Sequence, residues 1–183
     1  ELGHRAVSCG VASAPFTHAG AGLSRATDRM EDAMTEAADQ DLIGLYSKRI
    51  LALAADVPFT EALADADATA KKRSPLCGST VEVGVRLEDG RIAGFGQNVK
   101  ACALGQASAA VLGGHVLGRT RDEIARARDE LKAMLKSDGP TPSAPFEGFE
   151  VLRPARDYKN RHASILLSLE ATLAAMDEAL AAA

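Results

Sequence analysis

The chain has 183 residues, 46% of them hydrophobic and 25% charged, which is enough for one domain with a substantial core and too short for two of ordinary size. A formal net charge of −4 gives no basic excess of the kind that tracks phosphates, so nucleic acid is not an expected partner. No apolar run reaches membrane-spanning length, and three widely spaced cysteines make no disulfide framework, so a reduced, cytoplasmic setting is expected.

Residues 1–38 are rich in Ala, Gly, Ser and Thr, lack apolar periodicity and carry isolated His4, Cys9 and His18. They read as a disordered extension ahead of a single folded domain over residues 39–183. In that domain Leu42, Tyr46, Ile50 and Leu53 recur near helical spacing, with Leu45 and Leu51 widening the stripe, until Asp56 to Pro58 stops a first amphipathic helix. After a polar, Ala-rich connection, Ala68 to Arg73 fits a short edge strand. Thr80 to Leu87 then alternates, with Val81, Val83, Val85 and Leu87 on one side. Glu88-Asp89-Gly90-Arg91 is a tight hairpin signal, and Arg91 to Val99 is the returning strand. Cys77 stands just before the outgoing strand and Cys102 just after the return, so antiparallel pairing predicts that the two thiols are neighbours.

From Cys102 the pattern is helical through Val116, and Thr120-Arg121-Asp122-Glu123 is a capping box opening another helix to about Lys136. Ser137 to Pro145 reads as a loop, and Phe146 to Pro154 as irregular or a short helix. A last helix spans Arg161 to Ala182, with Ile165, Leu166, Leu169, Leu173 and Met176 on its buried side. The expected architecture is α+β, a small three-stranded antiparallel sheet covered by helices.

Three soft ligands on separate elements, Cys77, Cys102 and His162, suggest one composite metal or sulfur site. Thiolate and imidazole suit zinc or an iron–sulfur cluster, and two thiolates with one imidazole leave a fourth position open on tetrahedral zinc. A [2Fe–2S] centre takes four protein ligands, so a homodimer or an outside thiol would have to complete it. Cys102 at a helix start is expected to have a lowered thiol pKa, and Cys77, in a loop between Pro75 and Gly78, is expected to be the better exposed of the two thiols. Lys100 is either a solvated strand-end charge or a group that steers anionic sulfur species. His115 is expected away from the site. Gly94-Phe95-Gly96 lacks the third glycine and the strand-to-helix setting of a dinucleotide fingerprint.

Pro75-Leu76-Cys77-Gly78, then a hairpin, then Val99-Lys100-Ala101-Cys102-Ala103-Leu104-Gly105-Gln106-Ala107-Ser108-Ala109, then His162-Ala163-Ser164-Ile165-Leu166, together resemble the U-type iron–sulfur cluster scaffolds IscU, SufU and the N-terminal domain of NifU. The resemblance covers about Asp41 to Met176 and implies the compact α+β SufE/NifU-like fold. It also implies a scaffold or sulfur acceptor, not an enzyme, that works as monomer or homodimer. Such a protein takes sulfur from a cysteine desulfurase and relays a transient cluster to recipient apoproteins, or holds zinc while accepting sulfur.

The long Cys102 to His162 interval is similar to the SufU branch. The stretch by which IscU-like scaffolds engage an Hsp70 system has no counterpart in Asp157-Tyr158-Lys159-Asn160-Arg161, so no such partner is expected. Two departures stand out. Ser79 replaces the aspartate usual after Cys-Gly, and the family's third cysteine aligns with either His162 or Ala163. The resemblance then implies cluster, iron or zinc binding through Cys77, Cys102 and His162, with Cys77 as persulfide acceptor. The alternative is a degenerate member whose zinc site is structural or regulates a desulfurase.

Overall fold

The structure, a computed structural model, describes residues 47–75 and 77–182, all within the compact unit Asp41–Ala183. The expected extension over residues 1–38, with His4, Cys9 and His18, lies outside the described residues, as do Leu42, Leu45 and Tyr46 of the first helical stripe.

Helix α1 (Lys48–Ala55) is N-capped by Ser47, whose hydroxyl accepts from the Ile50 amide. Ile50 is buried and Leu53 packs partly against the core, as the spacing predicts. Leu51 is instead 49% exposed, because adjacent residues of a helix cannot both face one short contact surface.

Strands β1 (Ala68–Arg73), β2 (Thr80–Glu88) and β3 (Arg91–Lys100) form an antiparallel sheet in the order β1-β2-β3. Val81, Val83 and Val85 are buried on the face that meets the last helix, while Leu87 is only half-buried. The register shifts between Arg86 and Leu87, which takes Leu87 out of the alternation set by the three valines. The hairpin turn places Asp89 at φ 51° and Gly90 at φ 72°, the paired positive angles the Asp-Gly signal predicts. The opposite sheet face is overlaid by residues 61–66. At Gly96 a Cβ would lie 2.7 Å from the Glu61 carbonyl oxygen and 2.8 Å from the Leu63 nitrogen, so the loop backbone lies directly on the strand. Gly94-Phe95-Gly96 is therefore a strand segment under a loop.

Helix α2 (Ala103–Gly113) starts where Cys102 predicts but ends three residues before Val116, since the chain turns at Gly114. Helix α3 (Arg121–Ser137) carries the expected capping box, with Thr120 and Glu123 each bonded to the other's backbone amide. Its mixed charges lie on an outer face, where Arg119 and Arg91 pair with Glu123 and Arg121 with Asp177. A 3₁₀ segment (Glu147–Asp157) buries Phe149, Leu152 and Ala155. Helix α4 (Lys159–Ala182) begins two residues earlier than the sequence pattern indicates and is buried around most of its circumference. It packs against β1, β2, α2 and α3 at once. An all-round buried helix shows no single apolar stripe, which is why Ser164, Ser168 and Thr172 are buried among its leucines.

Candidate functional site

Ser74, Pro75 and residues 77–79 lie at a tight turn leading into β2. Two backbone bonds close it, Ser74 N–H to Ser79 O at 2.8 Å and Gly78 N–H to Ser74 O at 3.1 Å, with Gly78 in the left-handed region at φ 69°. This closure holds Cys77 between two buried serines. Its Sγ lies 3.2 Å from Ser74 Oγ and 3.1 Å from Ser79 Oγ.

The other thiol arrives from the far end of the hairpin. Cys102 is the N-cap residue of α2, half-buried, with no cap bond from its own side chain. Its Sγ lies 3.6 Å from Ser164 Oγ on α4. Ser164 donates in turn to Ser79 Oγ at 3.0 Å. A hydroxyl has one proton, so a Ser164 that donates to Ser79 accepts from the Cys102 thiol, and Ser79 is left to donate to Cys77. The two thiols thus stand at the ends of one directional chain, Cys102 to Ser164 to Ser79 to Cys77. Close packing of α2 on α4 makes this approach possible. A Cβ at Gly105 would lie 2.7 Å from Ser164 Oγ, so any larger residue there would push the hydroxyl away.

Burial pushes the Cys77 thiol up, but hydrogen bonding from Ser74, from the Ser79 side chain and backbone, and from Ser164 outweighs it. The net effect lowers its pKa from 9.0 to about 7. As a thiol Cys77 donates to Ser74, and as a thiolate it collects the surrounding hydroxyl and amide donors. Near neutral pH it is an available sulfur nucleophile.

His162 is placed differently. It is 4% exposed, and its Nε2 lies 3.1 Å from the Ala155 carbonyl oxygen and 2.9 Å from that of Arg156. Both partners only accept, so Nε2 carries the proton and Nδ1 is the ring nitrogen left with a lone pair. Among the described residues no three His, Cys, Asp or Glu side chains gather into a metal-holding group. The arrangement brings the two thiols to one hydrogen-bonded chain and holds the His162 imidazole through Nε2 against the 3₁₀ segment. His115 is exposed beyond the end of α2, edge-on to Phe146 at 6.3 Å between ring centroids, at the opposite end of that helix from Cys102.

Sequence reading treats Ser79 as the neutral substitute for a carboxylate and assigns no role to Ser74 or Ser164. The available signal was a serine on each side of Cys77, at positions 74 and 79, with Ser164 in the helical segment that also carries His162. Serines are too common for that pattern to mark a site until tertiary structure brings them together.

No family model matches the chain, and no curated protein matches it significantly. Among solved structures it is similar to the N-terminal part of a nitrogen-fixing NifU-like protein from Brucella abortus. Identity is 43% and the TM-score 0.75, over 78% of this chain and 99% of that one. It shares its fold with a protein from the thermophile Fervidobacterium islandicum that is described as an iron–sulfur cluster assembly scaffold for the SUF system. There identity is 19% and the TM-score 0.64, over 73% of this chain and 98% of that one. A hypothetical protein has the same fold at 19% identity and TM-score 0.63, over 74% and 98% of the two chains.

Proposed function

Because this chain belongs to the family of U-type iron–sulfur cluster scaffolds, we propose that it accepts sulfur, assembles or holds an iron–sulfur cluster as cargo on Cys77 and Cys102, and passes that cargo to recipient proteins. The observation that carries the reading is the pair of half-buried free thiols, distant in sequence, joined through Ser79 and Ser164. The protein binds and relays and does not turn over a substrate. Free thiols at the site suit a reducing compartment such as the cytoplasm, and no helix among the described residues is long and apolar enough to cross a membrane.

Cys77 is the proposed acceptor, with a cysteine desulfurase as donor. The Cys77 thiolate attacks the outer sulfur of the enzyme's persulfide, the S–S bond breaks, and its electron pair leaves on the enzyme's own thiolate. The transferred sulfur then sits on Cys77. Cys102 supplies the second anchor for the cargo. With Nε2 donating to the Ala155 and Arg156 carbonyls, His162 has only Nδ1 to offer and does not gather with the two thiols among the described residues, so the remaining cluster positions fall to ligands beyond them.

The direct test is sulfur transfer from a desulfurase fed radiolabelled cysteine, resolved without reductant. Label should appear on the wild type and on Cys102→Ser and be lost from Cys77→Ser. Undiminished label on Cys77→Ser would move the acceptor role elsewhere.

A further inference from the structure

The three segments that converge on the thiols carry cations and no carboxylate. Residues 72–81, 98–108 and 158–169 hold Lys72, Arg73, Lys100, Lys159 and Arg161 but neither Asp nor Glu, in a chain whose formal net charge is −4. Elsewhere most arginines find a carboxylate, as Arg86, Arg91, Arg119, Arg121, Arg153 and Arg156 do. Among the described residues, none of the five cations at the thiol end takes part in an ion pair.

The register of the sheet fixes where two of them stand. Arg73 lies opposite Thr80 and Thr80 opposite Lys100, so the two cations flank one threonine on a single sheet face. Arg73 directly precedes Ser74, whose hydroxyl meets Cys77, and Lys100 stands two residues before Cys102. Arg161 lies about one helical turn before Ser164, on the same side of α4. Lys72, Arg73, Lys100 and Lys159 are exposed and Arg161 is half-buried. Like charges gathered on one rim sum to a positive local field, which an approaching anion relieves.

We propose that this cationic rim selects the sulfur donor, by speeding the encounter of Cys77 with a persulfide presented on an acidic protein segment. The spacing of the charges argues for a segment over a small anion. Arg73 and Lys100 stand two strand spacings apart, about 10 Å, which no single small anion bridges. Carboxylates three residues apart on an extended segment lie about 10 Å apart as well, so a thiol between them is carried to the end of the sheet where Cys77 waits. The proposal rests on the sulfur-acceptor reading above and names the kind of donor that reading requires.

The probes are three blocked peptides, Glu-Cys-Gly-Glu, Gln-Cys-Gly-Gln and Lys-Cys-Gly-Lys, each activated as its thiopyridyl disulfide and mixed with the full-length protein. The Cys77 thiolate attacks the peptide sulfur, the S–S bond breaks, and the electron pair leaves on pyridinethiolate, whose release is read after subtracting the Cys77→Ser rate. At about 0.1 M salt, where charges act over about 10 Å, the glutamate peptide should react about tenfold faster than the glutamine peptide and the lysine peptide slower still. At about 1 M salt the three rates should converge. Arg73→Gln/Lys100→Gln, at two exposed strand ends, should bring the glutamate-to-glutamine ratio below about two and leave the glutamine rate unchanged. Arg86→Gln/Arg91→Gln removes the same charge at the hairpin end, about 30 Å away along β3, and should leave the ratio as it is. Equal rates for the three peptides, or equal loss of the ratio in both double variants, would overturn the proposal. Label transfer from a desulfurase persulfide is measured separately. If Cys77 discriminates the peptides but takes no label, the rim stands as a charge filter on Cys77 exchange and the acceptor reading falls.

Discussion

Replacing Ser79 with alanine removes the hydroxyl that contacts Cys77 and breaks the connection to Ser164 and Cys102, while Ser74 and the backbone amide at position 79 remain. With Cys77 held at about 7 by these bonds against burial, losing one hydroxyl and the link behind it should raise the midpoint to about 8, a change worth about 1.4 kcal/mol between the two protonation states. The kinetic consequence has two signs. At pH 6 the thiolate fraction falls roughly tenfold, but each thiolate becomes about threefold more nucleophilic as its pKa rises, so disulfide exchange at Cys77 should slow about three- to fourfold. Above both midpoints only the nucleophilicity remains, and the variant should react about threefold faster than the wild type. The assay is exchange with dithiodipyridine from pH 5.5 to 10, with Cys77 followed by peptide mass mapping so that Cys9 and Cys102 do not contribute. Rate curves that fail to cross, or an unchanged midpoint, would refute the assignment of the low pKa to this hydroxyl chain.

The same depression couples to folding. Because the folded value of about 7 lies below the ordinary 9.0, ionisation of Cys77 favours the native state fully above pH 9 and loses that effect as pH falls through 7. The difference in urea midpoint between wild type and Cys77→Ser should therefore grow between pH 7 and 9, and a difference flat across that range would contradict the linkage. Gly105→Ala places a methyl 2.7 Å from Ser164 Oγ and 2.8 Å from the Ala101 Cβ. It should destabilise by about 1–3 kcal/mol in urea titration and raise the Cys77 midpoint without touching either thiol. Thr120→Ala removes the capping hydroxyl of α3 and should cost about 1 kcal/mol by the same titration while leaving Cys77 exchange unchanged.

Much of the frame was legible because local chemistry and tertiary packing agree. The valine alternation, the Asp89-Gly90 turn and the Thr120 capping box each act over a few residues, and each appears where its pattern indicates. The hairpin then accounts for the meeting of Cys77 and Cys102 at one end of the sheet. What was hidden depends on long-range contacts. The early end of α2 follows from the turn at Gly114, and the exposure of Leu51 from how little of α1 meets the core. The burial of Ser164, and the carbonyls that hold His162, come from α4 packing into the core and the 3₁₀ segment folding over its start. No periodicity encodes a serine cluster built from residues 74, 79 and 164, because its members come from one loop and a distant helix that are adjacent only in the folded chain.

The central claim is that Cys77 and Cys102 form one cargo site. Anaerobic reconstitution with iron and sulfide tests it most directly, with metal content and visible absorption read on the wild type, Cys77→Ser, Cys102→Ser and His162→Ala. The account predicts cluster absorption on the wild type that disappears when either thiol is replaced, with His162→Ala retaining a substantial fraction because the imidazole does not gather with the two thiols among the described residues. Full cluster loading in either cysteine variant would contradict a site shared by the two thiols.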